Sequence, residues 1–135
     1  MTLSRREFMK WMAVSSGAAA VAGCAGMGGP AAGRVVVVGG GYGGATAARY
    51  IKLWAPDIDV IVVERNDTFV SCPMSNLVLG GNTQIGDSTL GYDGLRSRGV
   101  NLVRDDAVAV DAAARQVRLA SGKALSYDRL IVSPG

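Results

Sequence analysis

Four consecutive β-branched residues, Val35-Val36-Val37-Val38, run without a break into Gly39-Gly40-Gly41-Tyr42-Gly43-Gly44. No other stretch of the 135-residue chain narrows its fold so far. An unbroken valine run suits a parallel strand buried on both faces, and Gly39, Gly41 and Gly44 satisfy the spacing G-x-G-x-x-G. In Ala45 to Trp54, Ala47, Ile51 and Trp54 recur at helical spacing while Arg49 and Lys52 fall on another face. Ala55-Pro56 closes this helix, because a residue preceding proline is driven out of the α region. A second strand, Val60 to Val63, ends at Glu64, 20 residues beyond Gly44.

A dinucleotide's diphosphate and ribose ask for these residue types in this order. Gly39 permits the tight turn, Gly41 lets the backbone approach a diphosphate, and Gly44 lets helix and strand pack closely, with Gly43 in the same loop. The helix N-terminus offers unpaired N–H groups and a positive dipole end. Glu64 stands where ribose hydroxyls need an acceptor, and an acid there selects FAD or NAD over NADP. A lone G-x-G-x-x-G is weak; strand, glycines, helix, strand and acid together are specific. The competing reading is a glycine-rich turn in an α/β protein that binds nothing.

Composition closes off other chemistries. The chain has no His and two Cys, which excludes a Ser-His-Asp triad within these residues and argues against a protein-built metal site. From Arg34 onward the basic and acidic residues nearly balance, so no nucleic-acid footprint is expected. The excess positive charge sits at the start, in Ser4-Arg5-Arg6-Glu7-Phe8-Met9-Lys10, ahead of an uncharged Trp11 to Gly33. Residues 1–33 read as an export signal of twin-arginine type, too weakly apolar for a good membrane span. Val21-Ala22-Gly23-Cys24 resembles a lipobox, which would put a lipid on Cys24, and Ala20-Val21-Ala22 equally fits an ordinary cleavage site. The expected location is periplasmic, with membrane contact only through such a lipid.

Residues 34–135 form the folded part. After Glu64 comes a loop with a short apolar helix, then a helix over Tyr92 to Arg98 capped by Gly99. Val100 to Val103 is a third parallel strand. Ala107 to Val110, Gln116 to Leu119 and Ala124-Leu125 make a small β-meander, and Tyr127 to Gly135 is a final strand running into a glycine turn. The fold class is α/β: a Rossmann-like βαβ with a parallel sheet plus a β-meander. Met74, Leu77, Val78 and Leu79 read as core, Tyr50 and Trp54 as packed beneath the sheet, and Asp105-Asp106 as a turn. Arg115, Arg118 and Lys123 form a solvated hairpin face.

This order of elements, closed by Tyr127-Asp128-Arg129-Leu130-Ile131-Val132-Ser133-Pro134-Gly135, resembles the two-dinucleotide-binding-domain flavoproteins. Within them, Cys72-Pro73-Met74-Ser75-Asn76, Gly91-Tyr92-Asp93-Gly94-Leu95 and the twin-arginine leader resemble the flavoprotein subunit of flavocytochrome c sulfide dehydrogenase. The resemblance implies sulfide oxidation at FAD with a c-type cytochrome subunit as electron outlet. It implies that Gly39, Gly41, Gly43 and Gly44 face the FAD diphosphate, Glu64 the adenosine ribose and Arg65 the adenosine end. Val108 would approach the adenine through its backbone, and Gly135 would sit where the last strand meets the cofactor. Cys72 matches the cysteine that carries FAD through a thioether; read without the resemblance it is a small buried hydrophobe. The resemblance also implies an FAD-binding domain incomplete at its C-terminus, with no catalytic residue in this stretch and apolar surface left uncovered. Two other functions stand beside this one: a sulfide:quinone or NADH:quinone oxidoreductase, and a noncatalytic lipid-tethered nucleotide-binding module.

Overall fold

The computed structural model describes residues 31–135. The leader, its cleavage site and Cys24 lie outside the described residues. The central sheet contains β1 (Arg34–Val38), β2 (Asp59–Glu64), β5 (Asn101–Arg104) and β9 (Arg129–Val132), and between β1 and β2 runs helix α1 (Tyr42–Trp54). Between β2 and β5 come β3 (Thr68–Val70), α2 (Ser75–Leu79), a 3₁₀ turn (Ile85–Ser88), β4 (Thr89–Gly91) and α3 (Asp93–Arg96). The meander is β6 (Ala107–Asp111), β7 (Gln116–Leu119) and β8 (Ala124–Ser126).

The sheet order is β5-β2-β1-β9 with every pair parallel, and β1 sets Val35–Val38 opposite Val60–Val63. The valine runs are continuous because both faces are covered. On one face Val35, Val37, Val60 and Val62 pack with Ala48 of α1 and with Tyr92, Leu95 and Val100. On the other, Val36, Ile61 and Val63 pack with Val117 and Leu119 of the meander. Each fully buried valine contributes roughly 1.5–3 kcal/mol over an exposed one. Such a sheet presents its ligand edge at the carboxyl ends of the strands, where Gly39 and Glu64 lie.

Four features differ from the sequence reading. Helix α1 starts at Tyr42 with Gly41 as its cap, so Gly43 and Gly44 belong to its first turn. The stretch read as a loop between Glu64 and Tyr92 contains a two-stranded antiparallel ribbon, β3 with β4, alongside the expected short helix. Tyr50 and Trp54 are not beneath the sheet: they are 41% and 76% exposed and lie against each other with ring centroids 5.0 Å apart. The sheet side of α1 is taken by the small residues Gly44 and Ala48, which allow a closer approach than an aromatic ring would. Met74 and Leu79 are exposed rather than core, because α2 buries none of its residues.

Other expectations match. Gly99 takes a left-handed φ of 77° after α3, with its N–H donating to Arg96 and that of Val100 to Leu95. Arg115, Arg118 and Lys123 are exposed on the meander. Large apolar side chains are uncovered, Leu53, Trp54 and Leu79 most of all. Among the described residues no helix is long and apolar enough to cross a membrane.

Candidate functional site

The corner between β1 and α1 is shaped by its neighbours as well as by its own glycines. Gly39 has a φ of 97°, and a side chain there would meet the Ser133 carbonyl oxygen at 2.0 Å. That oxygen is close because β9 continues beside β1, its Ser133 N–H donating to Val38 at 2.8 Å. A side chain at Gly44 would lie 1.9 Å from the Gly39 carbonyl oxygen, so helix and strand can meet only over a bare Cα. At Gly43 it would meet Ser133 Oγ at 2.6 Å. Gly41 is different: the nearest atom to a side chain there is Phe69 Cε2 at 3.8 Å.

The start of α1 is bare in a second sense. Its first helical hydrogen bond runs from the Ala45 N–H to the Gly41 carbonyl, no side chain caps it, and its first turn holds no acid. The N–H groups of the preceding turn therefore point outward with the positive dipole end. Tyr42 covers the flank of this turn, its ring edge-on to Phe69 and its hydroxyl hydrogen-bonded to Ser71 Oγ at 2.5 Å. That bond ties the segment carrying Cys72 to the helix start.

Glu64 is folded back onto the glycine corner. Its Oε2 accepts from the Gly40 N–H at 2.8 Å, and its Oε1 accepts from the N–H and Nδ2 of Asn66, both at 3.0 Å. A side chain on Gly40 would meet Tyr92 Oη at 2.8 Å and Glu64 Cγ at 3.1 Å, so a larger residue here would push both side chains aside. Tyr92 is 6% exposed; burial pushes its phenol above the usual tyrosine range, and the Glu64 carboxylate adds to the shift.

A cleft of about 340 Å³ opens beside the corner, lined by Gly39, Glu64, Arg65, Asn66, Asp106 and Ala107 among others. Arg65 Nε pairs with Asp106 Oδ1 at 2.7 Å along it, an exposed pair contributing under about 1 kcal/mol. The hydroxyl of Ser121 holds the exposed Asp105 carboxyl below the usual carboxylate range. Val108 lies at the register step of β6, 62% exposed, next to the cleft residue Ala107. Gly135 has a φ of 101° and open space around it. Cys72 is an exposed free thiol, which removes the buried-hydrophobe reading.

A bare glycine face at position 41, an uncapped helix start and a carboxylate at the mouth of a polar cleft fit the diphosphate and ribose of a dinucleotide. The sequence pattern located the glycines and Glu64. It missed Gly40, Asn66, Tyr92 and Ser133. An asparagine two residues past a strand-ending acid is a local signal for Asn66; Tyr92 and Ser133 reach the corner only through folding.

The pyridine nucleotide-disulphide oxidoreductase family model matches residues 33–135. Over 45 residues the chain is 56% identical to the flavoprotein chain of sulfide dehydrogenase [flavocytochrome c] from Chlorobaculum thiosulfatiphilum, covering 33% of this chain and 94% of that sequence. It is 29% identical over 103 residues to the mitochondrial sulfide:quinone oxidoreductase of Dictyostelium discoideum, covering 76% of this chain and 23% of that protein. Its backbone matches the sulfide:quinone oxidoreductase of Aquifex aeolicus with a TM-score of 0.73 and 27% identity, over 77% of this chain and 24% of that one. The chain thus spans about a quarter of each of these two oxidoreductases.

Proposed function

Because the chain belongs to the pyridine nucleotide-disulphide oxidoreductase family, we propose that it is the FAD-binding N-terminal segment of an exported oxidoreductase that oxidises sulfide and delivers the electrons to a c-type cytochrome. The observation that carries the nucleotide part is the Glu64 carboxylate held 2.8 Å from the Gly40 N–H beside an uncapped helix start. The sulfide and cytochrome parts are supported by the likeness to the Chlorobaculum flavoprotein chain. The arginine pair and apolar stretch of the leader support export to the periplasm.

In this reading the backbone at Gly41, Gly43 and Gly44 receives the diphosphate while Gly39 makes the turn beneath it. Glu64 takes the adenosine ribose, Arg65 borders the adenosine end, the Val108 backbone faces the adenine, and Gly135 closes the turn beyond β9. FAD, when bound, would supply a two-electron acceptor for the oxidation of sulfide to sulfur, with the cytochrome as the outlet for those electrons. Cys72, an accessible thiol on the segment tied to Tyr42, is the attachment point for a flavin thioether. Such a bond would join Cys72 Sγ to a flavin methyl carbon, breaking the thiol S–H and one methyl C–H, and the two electrons and two protons released would be taken up by the ring and passed on through the cytochrome outlet.

The backbone likeness to the Aquifex enzyme favours quinone as the acceptor in a second reading. Sulfide-driven reduction of cytochrome c and of a soluble quinone by the whole protein separates the two. We expect cytochrome reduction. Quinone reduction alone moves the conclusion to the second reading, and neither overturns both.

A further inference from the structure

The Glu64 carboxylate is almost saturated before any ligand arrives. A carboxylate offers about four acceptor positions. Gly40 takes one on Oε2, and Asn66 takes two on Oε1 through its backbone N–H and Nδ2. One position remains, on Oε2. A ribose presents two adjacent hydroxyls, so Glu64 in this geometry accepts one of them directly and the other needs a second acceptor within reach.

Asn66 lines the same cleft as Glu64. Its amide orientation is fixed by chemistry, since a carboxylate only accepts and the group facing Oε1 must be the NH₂. Among the described residues Asn66 takes part in side-chain hydrogen bonding only as a donor, to Glu64, which leaves its Oδ1 for a ligand. Asn66 is also exposed, and its backbone bond to Glu64 survives any side-chain change. The position is therefore free for recognition rather than committed to the core.

We propose that Asn66 is a second nucleotide-contacting residue, its amide completing with Glu64 a receptor for the vicinal diol of a ribose. The proposal rests on the dinucleotide reading of the cleft and deepens it. Glu64 accepts one hydroxyl at Oε2 and the Asn66 Oδ1 accepts the other, while the Nδ2–Oε1 bond keeps the amide beside the carboxylate. A 2′-phosphate would replace one of the two donors with an anion beside the Glu64 carboxylate, so the receptor disfavours 2′-phosphorylated nucleotides.

The test uses the whole protein freed of flavin, in a Cys72→Ser background so that no covalent cofactor remains. Calorimetry measures the affinities of ADP, 2′-deoxy-ADP and 3′-deoxy-ADP, and far-UV circular dichroism checks the fold. Each deoxy analogue should bind about 5- to 10-fold more weakly than ADP, one hydrogen bond's worth. Asn66→Ala should weaken ADP by about the same factor and erase the penalty for one analogue while keeping it for the other. Asn66→Ser, which keeps a short acceptor, should recover part of that discrimination. Equal affinities for Asn66→Ala and its parent, or an equal loss for all three probes, overturns the proposal and leaves the dinucleotide reading intact. Loss of the folded spectrum in both variants gives Asn66 a structural duty and overturns it as well. A parent protein that does not tell ADP from either analogue refutes the reading of the cleft itself.

Discussion

Replacing Gly44 by alanine separates the structural from the recognition role of the glycine corner. The added methyl would stand 1.9 Å from the Gly39 carbonyl oxygen, 3.0 Å from Gly39 C and 3.1 Å from Val37 Cγ1. Carbon and oxygen do not approach within about 3 Å, so α1 must retreat from β1 by roughly 1 Å. That retreat loosens the contact of α1 with the fully buried Val37, Val60 and Val62. Overpacking of this kind costs about 1–3 kcal/mol, and an obstacle that is backbone rather than a yielding side chain puts Gly44→Ala at about 3 kcal/mol. Alanine's helix preference returns less than 1 kcal/mol in a first turn. A unit of about 100 residues then loses roughly 10–20 °C in melting temperature. Gly41→Ala is the control, because its methyl meets nothing nearer than 3.8 Å and its φ of −66° suits any residue. It should melt within about 3 °C of the parent yet bind ADP at least about tenfold more weakly, since the methyl stands where a diphosphate approaches. Thermal denaturation followed by circular dichroism, with calorimetry on the folded variants, reads both effects. A Gly44→Ala protein that melts with the parent, or two variants that lose stability equally, would show that the Gly39 carbonyl does not set how closely α1 approaches β1.

Other outcomes follow from the same geometry. Glu64→Gln leaves Gly40 or Asn66 facing an NH₂ group instead of an acceptor, so ADP affinity should fall about tenfold and stability by about 1–2 kcal/mol, measured by calorimetry and urea unfolding. The folded-state phenol of Tyr92 lies above its unfolded value of 10.0, chiefly through burial. Its contribution is thus fully present below pH 10.0 and is lost as pH rises through the folded value. Tyr92→Phe should flatten the fall in melting temperature above that pH; an unchanged alkaline profile counts against the assignment. Cys72→Ser should release all flavin from acid-precipitated protein, whereas the parent keeps it in the pellet; flavin washing off both rules out the thioether. Mass spectrometry of the mature N-terminus should find an acyl group on Cys24 if the lipobox is used, and an unmodified terminus near Gly23 if the ordinary site is cut.

How much of the site was legible depended on how local its physics is. Gly39, Gly41, Gly44 and Glu64 could be read because a turn, a bare helix start and a strand-ending acid keep fixed spacings along the chain. What Gly43 faces could not be read: it is Ser133 Oγ, 90 positions away and brought alongside only by the pairing of β9 with β1. Tyr50 and Trp54 misled because helical spacing identifies an apolar stripe without saying which side of the helix the sheet occupies. Gly44 and Ala48 decided that, being small enough to let α1 lie close. The β3–β4 ribbon was missed because its strands are three residues each and separated by a helix and a 3₁₀ turn, leaving no hairpin signal.

By itself the sequence determined the βαβ unit, its parallel pairing and the corner where an anion can sit. Uninterrupted valines must be covered on both sides, and a glycine-rich turn before a helix leaves amides exposed whatever surrounds it. How that corner is completed came from folding in three dimensions: β9 presses Ser133 against two glycines, and the Gly40 N–H, 24 residues back along the chain, seats the Glu64 side chain. Hydrogen bonds and steric contacts act over a few ångströms in space, so residues distant in the chain acquire a common role when strand pairing and helix packing bring them together.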